Sequence, residues 1–243
     1  MDLDKVLAIS LSTAALAFSL VSTLISLHRQ DSDRERGIRQ DLAKIIQELI
    51  SAKAEELSLA RSGNSVEHEY EYLQRWQALW QRMDVLVRRA FHLIEKRPDL
   101  ATDVEYAVLA QSFHLSRMWD RAEEAWKEAI RRAADKPDYR HINMRGYADF
   151  LFALNRKEQG RAIYREAISS LPANSDTAKH LIGYTYQLWM QLESGDPSRR
   201  DECHKQARRQ FESISSSALR DDALSYLDRA YTQFVSPKEN GSI

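Results

Sequence analysis

The sequence predicts an all-α protein, with a single transmembrane helix at the N-terminus followed by an α-solenoid of antiparallel helix pairs. Three observations support this fold class. The 243 residues include only 7 Gly and 5 Pro, which is typical of long helices joined by few turns. Residues 6–27 form an uncharged apolar run. Two later segments share a layout of small and aromatic residues at matching separations, which indicates stacked helix pairs.

The charge balance excludes one class of partner. The 35 basic and 36 acidic residues almost cancel, so no overall field favours nucleic acid, and we expect no nucleic-acid partner. A single cysteine, Cys203, excludes an intramolecular disulfide and any four-thiolate metal site.

The apolar run, VLAISLSTAALAFSLVSTLISL, predicts a membrane anchor. At about 1.5 Å per residue, a helix of this length would reach roughly 33 Å, enough to cross the hydrocarbon core of a bilayer. The alternative is a cleaved signal peptide, with a small-residue cleavage site from Ala15 to Ala17. Because the apolar run continues well past Ala17 and the first five residues carry two acids, we expect an uncleaved anchor.

Basic residues predict the orientation of this anchor. Lys5 alone precedes it, whereas Arg29, Arg34, Arg36 and Arg39 follow it closely. The positive-inside rule therefore places the N-terminus outside and the C-terminal bulk in the cytoplasm. The predicted localisation is a single-pass membrane protein that contacts the lipid bilayer through residues 6–27.

A stripe of small residues runs along the predicted anchor at spacings of four and three: Ala8, Ser12, Ala15, Ser19, Ser22 and Ser26. Such a stripe lets two transmembrane helices approach closely, which favours a homo-oligomer. The alternative is that the hydroxyl groups bond to their own helix backbone.

The pattern along the chain divides it into five segments. Residues 1–28 hold the N-terminal tail and transmembrane helix, 29–64 a polar juxtamembrane stalk and helix, and 65–102 a long amphipathic helix and turn. Residues 103–216 hold the repeats, and 217–243 a capping helix and disordered tail. Trp76 and Trp80 lie on the apolar face of the long helix, where a core role is favoured over a ligand box.

Matched residues reveal the repeats. The first segment carries Tyr106, Leu109, Ala110 and Phe113, then Trp119, Ala122, Trp126 and Ala129. The second carries Met144, Tyr147, Ala148 and Leu151, then Gly160, Tyr164, Ala167 and Pro172. Small residues at these positions let two helices cross closely, and the aromatic rings fill the space beside them.

These segments resemble the tetratricopeptide repeat family. The matching motifs are YAVLAQSF with AEEAW, MRGYADFL with GRAIY and SSLP, and KHLIGYTY with ARRQF. The sequence departs from the family pattern in two ways: the first two repeats are 38 residues apart, rather than about 34, and the third contains a much longer turn.

The resemblance implies a binding groove, because arrays of this family cradle a peptide or partner helix in the concave surface formed by the first helix of each repeat. The matched positions are Gln111, His114, Arg145, Asp149, Phe152, His180, Tyr184 and Gln187. The alternative is an ordinary solvated face in which Phe152 and Tyr184 are buried by capping elements. The family's carboxylate-binding groove uses lysines and asparagines. Only Arg145 could substitute here, and Asp149 would oppose an acidic peptide terminus.

No catalytic motif is evident. None of the seven histidines has another at the i, i+4 spacing of a helical metal site, and the residues from Asp201 to His204 point in different directions on a helix. The sequence also lacks a Gly-rich phosphate loop and a nucleophile elbow. We therefore expect no enzyme activity, metal or cofactor.

The predicted function is a membrane-anchored scaffold or adaptor that binds a partner protein or peptide at the cytoplasmic face. The alternative is an oligomerising membrane effector in which the repeat domain is a sensor or regulatory module.

Overall fold

The computed structural model describes residues 31–59, 69–193 and 195–235. These residues form α-helices joined by short turns, with one 3-10 turn and no β-strand among them. The chain divides into two compact units, and the boundary in the sequence lies between Ala101 and Thr102. We call them the N-terminal unit and the C-terminal unit.

The described residues of the N-terminal unit form two long helices. Helix α1 covers residues 31–59, and α2 runs from Glu69 to Lys96 before a short 3-10 turn at Pro98–Leu100. Arg82 pairs with Glu55, and Arg97 pairs with Glu35. The arginine that comes later in the sequence pairs with the glutamate that comes earlier on α1, so the two helices are antiparallel.

The apolar periodicity of these two helices forms a shared core. On α1, Leu42, Ile45, Leu49 and Ala52 are buried, and on α2 so are Met83, Val87, Ala90 and Ile94. Trp80, at the start of the same stripe on α2, remains partly exposed. The apolar side of α2 is therefore buried from Leu79 to Ile94, whereas Leu73 near its start is exposed, as expected for an amphipathic helix with one covered face.

The C-terminal unit contains seven helices: α3 (Asp103–Leu115), α4 (Trp119–Arg132), α5 (Pro137–Ala153), α6 (Lys157–Ser170), α7 (Asp176–Leu192), α8 (Pro197–Glu212) and α9 (Ser217–Val235). The helices pack as the consecutive antiparallel pairs α3–α4, α5–α6 and α7–α8. Helix α9 packs against both α7 and α8. The antiparallel helix pairs predicted from the matched motifs are thus confirmed.

Equivalent turns close the first two pairs. Arg117 after α3 and Asn155 after α5 both have a left-handed backbone, with φ of 58°. In each turn, the amide after the left-handed residue donates to a carbonyl five residues back, from Met118 to Phe113 and from Arg156 to Leu151. The two left-handed residues are 38 positions apart, the same separation as the matched motifs.

Glycines bring the helices of the second and third pairs together. Gly183 of α7 lies directly against the Phe211 ring of α8, and Gly160 of α6 lies against the Phe152 ring of α5. Around these contacts, a core that includes Tyr164 and Trp189 is buried. Close backbone approach is therefore a structural requirement at these positions.

The predicted transmembrane helix requires a correction. Within the three described ranges, no helix combines the length and the apolarity needed to cross a bilayer. The predicted anchor, residues 6–27, and its stripe of small residues lie outside the described ranges. Of the predicted fold class, the described residues therefore support the all-α part, whereas the predicted transmembrane helix and the predicted single-pass membrane localisation are not supported.

Candidate partner-binding face

The matched positions divide between the surface and the interior of the C-terminal unit. Gln111 is exposed. His114, Arg145, Asp149, His180 and Tyr184 are half-buried, whereas Phe152 and Gln187 are buried. We call the six accessible residues, on α3, α5 and α7, the first-helix face.

Phe152 and Gln187 are interior residues. Phe152 is 7% exposed and packs edge-on against Tyr164, with ring centroids 5.9 Å apart. Gln187 is 1% exposed and lies one turn after Gly183, on the stripe of α7 that contacts α8. Neither side chain is available to a partner without repacking of the core.

The centre of the first-helix face is an arginine stacked on a tyrosine. The Arg145 guanidinium of α5 lies over the Tyr184 ring of α7, 5.0 Å from the ring centroid. The Nη1 atom of Arg145 is buried and has no hydrogen-bond partner among the described residues. A cation–π contact of this kind contributes about 0.5–2 kcal/mol, but it leaves this N–H group unsatisfied.

Asp149 lies one turn after Arg145 on α5. Its carboxylate accepts a hydrogen bond from the Tyr164 hydroxyl of α6. Burial raises the pKa of Asp149 to about 6, although the Tyr164 hydrogen bond and the Arg145 charge both act to lower it. The charge of this face therefore changes under mildly acidic conditions.

His180 extends the aromatic surface of α7. Its ring is parallel to that of Tyr184, with centroids 6.5 Å apart, and it also contacts the Phe211 ring. Burial lowers the pKa of His180, and the nearby Asp222 of α9 opposes that shift. At neutral pH the imidazole is therefore uncharged and acts as an aromatic surface beside Tyr184.

On α3, the face consists of Gln111 and His114, and the aromatic neighbours of His114 differ from those of Tyr184. The His114 ring contacts both Trp119 and Phe150, with centroid distances of 5.3 Å to each. Gln111, one turn earlier, is exposed. The structure thus joins the predicted α5 and α7 residues through Arg145 and Tyr184, while His114 packs at the junction of α3, α4 and α5.

Sequence reasoning missed two residues beneath the face. His141 is fully buried, and its ring contacts Ala167 of α6 and Thr185 of α7. Its spacing from Met144 and Ala148, three and seven residues, places it on the buried stripe of α5, and this signal could have found it. No sequence pattern pairs it with Thr185, which is 44 residues away.

The described residues offer no obvious metal or nucleophile chemistry. They contain no cluster of three His, Cys, Asp or Glu side chains able to hold a metal ion. Cys203 is buried, and burial raises the pKa of its thiol to about 12. A thiol in this environment stays protonated and unreactive at neutral pH.

Comparisons with known proteins show a likeness to a solved structure. No protein-family model and no curated protein sequence matches the chain. Among solved structures, the chain is similar to the crystal structure of BtubC (BKLC) from P. vanneervenii, at 13% sequence identity and a TM-score of 0.45. The likeness covers 85% of this chain and 97% of that chain. The class of protein follows from the helices themselves: the described residues form antiparallel helix pairs, consistent with a helical-repeat fold.

Proposed function

We propose that this protein is a tetratricopeptide-like scaffold that binds a peptide segment of a partner protein across the first-helix face. The observation that carries the proposal is the contact between Arg145 and Tyr184, which forms a half-buried platform between two successive first helices. Such a platform combines rigid aromatic area with a charged donor, the combination found at binding hot spots.

The unsatisfied N–H group of Arg145 indicates what the peptide must supply. A buried donor without an acceptor costs roughly 1–3 kcal/mol, which is recovered when an acceptor oxygen reaches it. Because Nη1 is buried in the unbound protein, a peptide carbonyl or side-chain oxygen seated on Tyr184 would satisfy this donor once the guanidinium turns outward. The half-buried Asp149 nearby disfavours a dense cluster of acidic groups at the same point.

The flanking residues extend the platform. His180 adds a second ring parallel to Tyr184, and Ile142, one turn before Arg145 on α5, is an exposed apolar side chain. Together these residues form a mixed apolar and polar strip across α5 and α7. Peptides bind such strips through a few anchors, with complementary contacts around them.

The proposal is tested by selecting peptides and then removing the platform. The full-length protein is immobilised and used to select binders from a phage-displayed random peptide library. The best binder, hereafter the selected peptide, is synthesised with a fluorescent label. Its affinity is measured by fluorescence anisotropy for the wild type and for Arg145→Gln and Tyr184→Ala variants.

We expect each variant to bind the selected peptide at least about tenfold more weakly, since hot-spot truncations cost roughly 2 kcal/mol or more. The matched control is Arg165→Ala, which removes an exposed arginine from α6, a second helix. It should bind as the wild type does. Circular dichroism checks that each variant is folded. Failure to select any peptide, or equal binding by all variants, would overturn the proposal.

A further inference from the structure

A buried histidine links three helices directly beneath the first-helix face. His141 of α5 is 0% exposed. Its Nδ1 lies 2.8 Å from the Ala167 carbonyl oxygen of α6, and its Nε2 lies 2.8 Å from the Thr185 hydroxyl oxygen of α7. We call this arrangement the His141 bridge.

The partners determine which ring nitrogen carries the proton. A carbonyl oxygen can only accept, so Nδ1 of His141 carries hydrogen and donates to Ala167. In the neutral ring, Nε2 then holds a lone pair and needs a donor. The Thr185 hydroxyl is the donor within reach.

Thr185 has one hydroxyl proton and two acceptors. Its Oγ1 lies 2.8 Å from His141 Nε2 and also 2.8 Å from the Leu181 carbonyl oxygen in its own helix. With neutral His141, the proton goes to Nε2. When His141 takes up a proton, Nε2–H donates to Thr185, and the Thr185 proton is free to bond to Leu181. Protonation therefore reverses the hydrogen bond between α5 and α7.

The surroundings of the ring provide little compensation for a positive charge. On α5, Arg145 lies one turn after His141 and Asp138 lies three residues before it. The groups that α6 and α7 present to the ring are uncharged: the Ala167 and Leu181 carbonyls and the Thr185 hydroxyl. The nearest charged pair on the α6 side, Glu166 with Arg140, is at the surface.

Burial lowers the pKa of His141, and Arg145 adds to this effect, while the two carbonyls and Asp138 oppose it. The ring is therefore neutral at physiological pH, and it takes up a proton only under acidic conditions. A charge that then appears in this buried position acts on Arg145 through a medium of low dielectric constant, where repulsion is strong.

We propose that proton uptake by His141 repels the Arg145 guanidinium from the Tyr184 ring and so weakens peptide binding at the first-helix face. This inference rests on the proposed function, because it concerns the regulation of the same face. The His141 bridge thereby makes the partner bind at neutral pH and leave on acidification.

The first test measures the affinity of the selected peptide in steps from about pH 7.5 down to about pH 4.5, because burial lowers the pKa of His141 below the ordinary histidine value. For the wild type, we expect a progressive loss that approaches roughly tenfold once the pH is below both titrations, the limit for a shift of about one pKa unit between bound and free protein. His141→Gln keeps a donor and an acceptor but cannot take up a proton, so it should lose less than about twofold. An equal loss in this variant and the wild type would overturn the proposal.

Two other groups of the face also titrate in acid, so controls are needed. Asp149→Asn removes the carboxylate of raised pKa, and His180→Gln removes the half-buried imidazole of α7. Both variants should still lose affinity on acidification, because His141 is present in each. If Asp149→Asn or His180→Gln abolishes that dependence instead, the His141 bridge is not its cause.

The second test needs no ligand and therefore separates this inference from the proposed function. NMR with labelled histidine and tyrosine follows the His141 ring and the Tyr184 ring during acidification. The Tyr184 resonances should move with the same midpoint as those of His141, since Arg145 leaves the ring when the charge appears. Thr185→Val should lower this midpoint, because the charged Nε2–H then loses the hydroxyl acceptor 2.8 Å away.

The outcomes are distinct. If no peptide is found but both NMR midpoints coincide and shift in Thr185→Val, the proposed function fails and the His141 bridge stands. If Tyr184 does not respond when His141 is protonated, the bridge does not control the face, whatever binds there. Should His141→Gln fail to fold, Thr185→Val still tests the inference, since it leaves the titrating ring in place.

Discussion

Substitution of Gly183 by alanine tests the close packing of α7 on α8. A Cβ atom at this position would lie 2.5 Å from Cε1 and 2.7 Å from Cδ1 of Phe211. Favourable carbon–carbon contacts lie at about 3.5–4.0 Å, so the ring or the helix must move by roughly 1 Å. Phe211 is 1% exposed and is packed in the core, which leaves it no free space to move into.

The expected change in stability is a balance of two terms. Replacing glycine by alanine inside a helix stabilises it by about 1 kcal/mol. Overpacking a core costs about 1–3 kcal/mol, and more where the neighbours cannot move. Because Phe211 is held on all sides, we expect the clash to exceed the helical gain, so that Gly183→Ala lowers the free energy of unfolding by about 1–2 kcal/mol.

The assay is urea unfolding followed by circular dichroism and tryptophan fluorescence. Gly37→Ala is the matched control, since Gly37 is in helix α1 and a Cβ there would meet nothing within 4 Å. It should stabilise the N-terminal unit by up to about 1 kcal/mol. In a Phe211→Leu background, the smaller side chain should make Gly183→Ala neutral or stabilising. If Gly183→Ala stabilises the wild-type chain as Gly37→Ala does, the close contact between α7 and α8 is wrong.

Three further predictions concern the C-terminal unit. Thr102 and Glu105 form a capping box at the start of α3, so Thr102→Ala should lower the free energy of unfolding by about 1 kcal/mol in urea, whereas Thr102→Ser should be nearly neutral. Arg161 donates two hydrogen bonds to Glu193, of 2.7 and 2.6 Å, and both residues are buried. Glu193→Gln should therefore lower the free energy of unfolding by about 3 kcal/mol, because it leaves the Arg161 charge buried without its partner. Replacing both residues by methionine should lower it less, and an equal or larger loss would contradict this explanation. Burial raises the pKa of Asp149 to about 6, so the folded state binds more protons than the unfolded state, and its contribution to stability falls as pH rises from about 4 to 6. The wild type should lose up to about 3 kcal/mol relative to Asp149→Asn over this range, and a constant difference between the two unfolding free energies would contradict the assignment.

The helix pairs of the C-terminal unit could be predicted because their signals are local and repeated. The 38-residue separation of the motifs reappears as the separation of Arg117 and Asn155, the two left-handed turn residues. Trp126, expected to fill the space beside a helix crossing, is buried against Gly146 of α5. These features could be predicted because hydrophobic periodicity and contacts between small and aromatic residues involve only one or two helices that are close in sequence.

The accessible side of a helix was harder to predict. Matched motif positions placed Phe152 and Gln187 in the groove, yet both are buried. On α7, both α8 and α9 pack against one helix, so a polar stripe can be covered as fully as an apolar one. Whether a helical residue faces solvent depends on how many neighbours the helix has, and a repeat motif does not report this number.

The structure also does not support the transmembrane part of the predicted fold class. It rested on the hydropathy of residues 6–27, which lie outside the described ranges, and no described helix can cross a bilayer. The proposals for the first-helix face depend only on residues of the C-terminal unit.

The helical class and the pairing of successive helices could be predicted from the sequence alone, because each depends on spacing along one chain segment. Which residues of different helices meet depends on the tertiary packing. It placed the Arg145 guanidinium on Tyr184, and it brought His141 to Thr185 across 44 positions of sequence. Contacts between helices that are distant in sequence arise from packing of the whole unit, in which burial, hydrogen bonding and charge are satisfied together.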